Sequence, residues 1–367
     1  MRNKALSITL AVIVAIFTGF YFLRNSKDDT VKIGAILTIT GPAADAGVDI
    51  QNGLSLAVDM LNARSGVNGK KLELIIEDSK TDPEAGKTAF EKIEQHHRPI
   101  FYIVATSLVA TAVAPLAEES QVVMIGVATA PNLTSNKKWI FKYYTTPPTE
   151  VSPILALLER LKSQTLGILY LNDEYGSPVD SLLRAGFQKS GGTVIDDAFE
   201  VQQTDFKAEI EKIQNTDAAY IIGYDSHIKN IIKQLKDTGY RGNILTSNTL
   251  DWILTANDAA ELDGVYFAAS IIYNPNFAFA RTARDKYQEK YVKPFNHLAA
   301  TGYDIIKLIG SLLEDQEISR ENLRRLLEGG FIYPGVFGDI HVKPSEHNMT
   351  FPLYPARISD GKIEYLW

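Results

Sequence analysis

From Val31 onward, short runs rich in β-branched residues alternate with stretches of helical period, and this alternation constrains the fold more than any other feature of the chain. Runs at Val31–Leu37, Leu72–Ile76, Ile100–Val104 and Val122–Ile125 read as strands. Between the first two, Leu54, Ala57, Val58 and Leu61 fall at i, i+3, i+4 and i+7 and give one apolar helix face. Asp82-Pro83 supplies an N-cap and a proline at the first position of the next helix. The pattern pauses over Tyr143–Pro153 and then resumes. Strands are expected at Leu166–Leu171, Thr193–Phe199, Ala218–Ile222, Asn243–Leu245 and Val265–Ile272, with helix faces formed by Val179, Leu182, Leu183 and Phe187, then by Ile228, Ile231, Ile232 and Leu235. The fold class that follows is α/β, with two Rossmann-like lobes built on parallel sheets.

The chain then reads as helical through Ala278–Leu313 and ends in strand-like pieces at Val336–Val342, Phe351–Ile358 and Lys362–Tyr365. These are too few and too short for a third core, so they are expected to return to the lobes and make a hinge of several crossings. The expected division places a leader in residues 1–27. The first lobe takes residues 28–147 with about 273–330, and the second takes 148–272 with about 331–367.

Composition narrows the function. A net charge of -7 and scattered basic residues do not suit a nucleic-acid partner. The cluster of Arg320, Arg324 and Arg325 alternates with Glu321 and Glu328 and reads as a solvated helix face. The absence of cysteine removes disulfides, thiol nucleophiles and thiolate metal sites. No P-loop, Gly-x-Gly-x-x-Gly turn or Gly-x-Ser-x-Gly elbow follows a strand, and the six histidines form no His-x-x-x-His pair. Each histidine is expected at the surface or at a cap, and Glu77-Asp78 and Asp196-Asp197 are expected in solvent. No metal, cofactor or catalytic pair is expected.

The N-terminus carries Arg2 and Lys4 ahead of an uncharged, mostly apolar run from Ala5 to Leu23. Its length suits a membrane-spanning helix, and the leading basic residues direct the remainder to the outer side. The run ends in Phe20-Tyr21-Phe22-Leu23 instead of the small residues of a cleavage site, so an uncleaved anchor is expected over a removed signal.

Several motifs, in their order along the chain, resemble the branched-chain amino-acid-binding proteins of ABC importers, the leucine/isoleucine/valine type. They include Gly34-Ala35-Ile36-Leu37-Thr38-Ile39-Thr40-Gly41-Pro42, the stretch Gly53-Leu54-Ser55-Leu56-Ala57-Val58, and Gly66-Val67-Asn68-Gly69 leading into the next strand. Ala105-Thr106-Ser107 and Gly126-Val127-Ala128-Thr129-Ala130 look like the two first-lobe loops that hold a ligand carboxylate. Asn172-Asp173-Glu174-Tyr175-Gly176 and Gly223-Tyr224-Asp225 resemble the strand ends whose tyrosines close from the other lobe.

The resemblance implies a Venus-flytrap, type I periplasmic binding fold that captures a small solute for a membrane permease outside the cytoplasm. Ligand residues would be Thr106, Ser107, Ala128 and Thr129 at a carboxylate, Tyr175 and Tyr224 for packing, and Asn248 at the opposite polar end. The departures concern the ligand. Asn248 stands where amino-acid binders carry an acid for the ammonium, so Asp251 or Asp225 substitutes or the ligand lacks that charge. Ala46 stands where an aromatic can occur. Sensing through a separate receptor is an alternative role, and an enzyme on this scaffold a more distant one.

Overall fold

A computed structural model describes residues 30–248, 250, 259–271 and 278–366. The apolar run at residues 5–23, Asp251 and the expected lobe boundary near 273 lie outside these residues. Among the described residues, no helix is long and apolar enough to cross a membrane.

The first sheet contains β1 (Thr30–Leu37), β2 (Lys71–Asp78), β3 (Phe101–Ala105), β4 (Val123–Val127), β5 (Ile140–Tyr143) and the late strand β13 (Asn348–Met349), in the order β13-β5-β4-β3-β1-β2. All its pairings are parallel. The second contains β6 (Thr165–Leu171), β7 (Thr193–Phe199), β8 (Ala218–Ile222), β9 (Asn243–Thr246), β10 (Tyr266–Ser270), β14 (Leu353–Ser359) and β15 (Lys362–Tyr365). Its order is β15-β14-β10-β9-β8-β6-β7, parallel from β7 to β10 and antiparallel beyond. The interior strands β3, β4 and β8 are buried at every residue, while the edge strands β2 and β7 alternate with exposed positions. Helices on both faces of a parallel sheet produce that difference, because only central strands lose contact with water on both sides.

The expected strands lie where the sequence placed them to within a few residues. Asp82 caps its helix as read, its Oδ1 accepting the Ala85 N–H at 2.7 Å. Three readings need correction. The pause at Tyr143–Pro153 contains the end of β5 and the start of the helix Pro147–Arg160, where Thr146 caps and Pro147 occupies the first turn. The helical stretch Ala278–Leu313 is two helices, Ala278–Tyr291 and His297–Leu313, separated by Pro294 and restarted by the Asn296 side chain, which accepts the Ala299 N–H at 3.1 Å.

Residues 331–349, expected with the second lobe, pack on the first. The hairpin of β11 (Phe331–Gly335) and β12 (Gly338–Val342) is tied to Asp304, and β13 pairs with β5. Fully buried Asp304 accepts from Tyr143 Oη at 2.9 Å, the Val336 N–H at 2.8 Å and Tyr333 Oη at 3.4 Å. A carboxylate with partners on β5 and the hairpin draws that segment to the first sheet. The chain therefore crosses between sheets after Tyr143, after Ser270 and between Met349 and Leu353.

Helix His297–Leu313 lies against helix Ala44–Asn62 through glycines. A Cβ on Gly53 would stand 2.0 Å from the Ala299 carbonyl oxygen, and one on Gly302 2.5 Å from that of Ile50. Gly53→Val therefore forces the two backbones apart, and a loss of about 1–3 kcal/mol is expected in the urea-unfolding free energy. An unchanged midpoint would show that this crossing tolerates extra volume.

Candidate functional site

The C-terminal ends of β3 and β4 face those of β6, β8 and β9 across one cavity, with about 460 Å³ of empty space. Thr106, Ser107, Ala128, Thr129, Tyr175, Tyr224 and Asn248, all singled out from the sequence, line it together with Ala46. Sequence reading missed Tyr144, Ile50 and Leu298. Tyr144 was hidden in the stretch read as a pause, and the two aliphatic residues sit on helix faces that pattern alone assigns to a core.

On the first-lobe side, β3 runs into Thr106, whose φ of 66° and ψ of 149° fall in a region that glycine occupies readily and threonine does not. The Thr106 N–H is fixed to the Val127 carbonyl at 3.0 Å, and the helix Ser107–Glu119 starts at once. Its first-turn N–H groups have no carbonyl one turn earlier to bond, which makes this end receptive to an anion. Thr106 Oγ1 is buried and makes no hydrogen bond in the protein.

Ser107 has another task. Its Oγ accepts the N–H groups of Thr129 and Ala130, both at 3.0 Å, and locks the loop after β4 to the start of the helix. The Thr129 N–H, expected to meet a ligand carboxylate, is thus already engaged. Lys142, on β5 and buried, donates from Nζ to the Ala130 carbonyl at 3.1 Å, and burial lowers its pKa to about 8.

The second lobe presents two tyrosines. Tyr175 and Tyr224 stack with centroids 6.0 Å apart and an interplanar angle of 19°. Neither hydroxyl proton is directed at the cavity. Tyr224 donates to Asp173 Oδ2 at 2.7 Å, while Asp173 Oδ1 accepts the N–H groups of Tyr175 at 2.9 Å and Gly176 at 2.8 Å. Tyr175 donates to Glu150 Oε1 at 3.2 Å, and Tyr220 reaches the same oxygen at 3.0 Å. Glu150 is fully buried and its Oε2 has no partner. Burial raises the Glu150 carboxyl to about 7, against the lowering effect of the two tyrosines, and raises Asp173 to about 6.

The far end holds Asn248, whose Nδ2 donates to Tyr144 Oη at 3.2 Å and lies 3.5 Å from His297 Nε2; Tyr144 Oη is 3.0 Å from the same nitrogen. His297 is fully buried, which corrects the surface reading. His227 is buried too, and its Nδ1 accepts the Tyr224 N–H at 3.2 Å in a capping arrangement. Asp225, one candidate for the missing acid, turns elsewhere: its Oδ2 accepts the Ala46 N–H at 3.1 Å, beside Ser226 Oγ, which donates to the Pro42 carbonyl at 3.3 Å. Both contacts join the lobes. Burial raises the Asp225 carboxyl to about 7. Among the described residues, none of the side chains lining the cavity is charged.

Two largely parallel sheets whose C-terminal strand ends meet around one cavity define the type I periplasmic binding fold. The sequence profile of the periplasmic binding protein family matches residues 30–362, and the chain belongs to that family. It is 26% identical over 241 residues to Leu/Ile/Val-binding protein homolog 3 of Brucella melitensis, a match covering 62% of this chain and 65% of that protein, so just under two thirds of the relative is spanned.

Among solved structures, a branched-chain amino acid transporter substrate binding protein of Streptococcus pneumoniae in complex with isoleucine superposes with a TM-score of 0.83 at 23% identity. That match covers 91% of this chain and 98% of the other. A solute binding protein of an ABC transporter from Rhodopseudomonas palustris, in complex with 3,4-dihydroxy benzoic acid, gives 0.81 at 19% identity, covering 92% and 96%. At these identities the structures establish the shared fold.

The Ser107 lock is testable by truncation. Ser107→Ala leaves two buried N–H groups without an acceptor, and each orphaned donor costs about 1–3 kcal/mol. Chemical denaturation should show a loss in that range or above. A variant as stable as the parent would mean that the loop after β4 is held by other contacts.

Proposed function

We propose that this protein captures a small polar solute, an amino acid, an amide or a small carboxylate, in the cleft between its lobes and delivers it to the membrane permease of an ABC importer. The observation that carries this reading is Thr106. A strained backbone and an unpartnered buried hydroxyl at a helix start, facing a cavity closed by the other lobe, are costs that a ligand with an acceptor group offsets. Capture takes place outside the cytoplasm, with residues 5–23 holding the chain to the cytoplasmic membrane. Asn248 reads the polar end of the ligand opposite the carboxylate.

The lobes act as two bodies hinged at the crossings between the sheets, and the ligand binds the closed arrangement better, so it shifts the open and closed populations. A thermal-shift screen of the soluble part with valine, valinamide, benzoate and short carboxylates tests capture. A solute at about 100 times its dissociation constant adds roughly 2.7 kcal/mol. If none of these solutes moves the melting temperature, the proposal fails.

Closure also has a proton balance. In the closed form Asp225, facing the Ala46 N–H with Asp45 and Lys229 nearby, is raised to about 7 from an ordinary 3.8, and on opening it regains water and the ordinary value. Closing therefore takes up a proton. This contribution to the closed form is fully present below the ordinary carboxyl value and is lost as pH rises through about 7. The ligand-free radius of gyration from X-ray scattering should be smaller at about pH 5 than at about pH 8, and Asp225→Asn should remove the difference. Equal radii for the parent at both values would refute the linkage.

A further inference from the structure

The foot of the first lobe, at the end of the sheet opposite the cleft, carries a groove where β1 begins and where the chain enters β2 and β3. Lys32, Lys70, His97, Arg98 and Arg320 line it, and among the described residues no carboxylate does. This cationic foot belongs to a chain whose net charge is -7. We propose that the groove seats the first lobe on anionic phospholipid headgroups of the membrane that holds residues 5–23, so that the protein stands on its base with the cleft raised above the bilayer. The inference rests on the reading of residues 5–23 as an anchor and is independent of which solute the cleft takes.

Position in the chain and charge carry the argument together. Residues 24–29 separate the apolar run from Thr30, the first residue of β1. A stretch of that length extends over at most about 20 Å, so the end of the lobe that begins at Thr30 lies beside the bilayer. Within the stretch, Arg24 and Lys27 are balanced by Asp28 and Asp29, and the tether adds no net charge of its own. Attraction to an anionic surface acts within about one Debye length, about 8 Å at physiological salt. The tether permits that approach without imposing it, and the groove supplies the pull.

Within the groove the cations have different tasks. Arg320 donates to both oxygens of Glu94, at 2.9 and 2.8 Å, and to the Pro99 carbonyl at 3.0 Å, so its charge is matched and it fixes a wall. Lys70 and Arg98 are exposed, and among the described residues neither is held by a carboxylate. A guanidinium takes two phosphate oxygens at once and an ammonium takes one. The corresponding groove at the foot of the second lobe is more nearly balanced, since Asp217 shares it with Lys162 and Arg241. Seating on the first lobe leaves the second free to move. β1 runs for 8 residues from Thr30 to Leu37, and at about 3.3 Å per residue the cleft stands about 26 Å above the groove, clear of the headgroups.

The test uses the full chain in vesicles. Because the sequence has no cysteine, a single introduced one can carry a fluorescent donor: Gln95→Cys beside the groove, or Gln188→Cys on the second lobe as a reference, both at exposed positions. Energy transfer to a trace acceptor lipid reports how near each label stands to the bilayer. In vesicles containing about 30% phosphatidylglycerol, the label at position 95 should transfer strongly and the label at position 188 weakly. In phosphatidylcholine alone, or at about 0.5 M NaCl, transfer from position 95 should fall. Lys70→Glu combined with Arg98→Glu should lower the ratio of seated to unseated molecules by about tenfold or more. Lys162→Glu combined with Arg241→Glu, the same change of charge on the other lobe, should leave that ratio unchanged.

Transfer from position 95 that is equal in the two lipids, or that both pairs of substitutions lower alike, overturns the inference. Loss of the signal on adding about 10 mM inorganic phosphate at constant ionic strength assigns the groove to free phosphate and overturns the lipid seat, whereas a signal that persists supports it. Flotation with phosphatidylcholine vesicles tests the anchor separately. If the chain does not float with them, the anchor reading fails. The seat is then upheld by flotation with phosphatidylglycerol vesicles that Lys70→Glu with Arg98→Glu abolishes, and is overturned by any other result.

Discussion

The close crossing of helix Ala44–Asn62 with helix His297–Leu313 is the contact on which the arrangement of the lobes depends. Gly53 and Gly302 allow the backbones to approach until a methyl group would collide with a carbonyl oxygen, and this seats a late segment of the chain against an early one. Once that segment is in place, Asp304 on it binds Tyr143 at the end of β5 and Val336 beyond the β11 turn, which positions the hairpin and then β13 beside β5. The final strands have only a short link with which to cross to the second sheet. A hinge of several strands thus follows from packing between two helices whose contacts are far apart in sequence. The same helix places His297 and Leu298 at the cleft, so fold and site share one support.

Much of this was legible from periodicity. Strands buried on both faces appear as continuous apolar runs, and β3, β4 and β8 were located by such runs. The lining of the cavity was legible to a similar depth, because it is built from residues that follow the C-terminal ends of parallel strands and those ends can be read. What could not be read was pairing across long separations. Phe331–Gly335 contains a proline and a glycine, yet it pairs with Gly338–Val342 in a hairpin whose turn donates the Val336 N–H to Asp304. The assignment of residues 331–349 to a lobe depends equally on that carboxylate. Burial of His297 and Glu150 was also hidden, since neither lies in an apolar run and each is enclosed by residues from other elements.

The hydrogen bonds around the cavity divide into those within one lobe and those between the lobes. Lys142 with Ala130 and Ser107 with Thr129 lie within the first lobe; Tyr175 and Tyr220 with Glu150, and Tyr224 with Asp173, lie within the second. Among the described residues, Asn248 with Tyr144, Asp225 with Ala46, Ser226 with Pro42 and Lys229 with Asp45 span the gap. Each of these contacts is polar and of a kind that water can replace. The contacts that hold each lobe together and the contacts that join the lobes therefore belong to different residue pairs.

This separation also explains why charge is better placed behind the lining than in it. A carboxylate in direct contact with a cationic ligand loses its partner on opening and gains water, so each cycle would carry the full cost of hydrating and dehydrating an ion. Glu150 and Asp173 keep their tyrosine hydrogen bonds in either arrangement, because donor and acceptor belong to one lobe. Toward the cavity these acids present tyrosine side chains and not their own carboxylates. The lining among the described residues stays neutral, and the buried acids Glu150 and Asp173 stand one residue behind it.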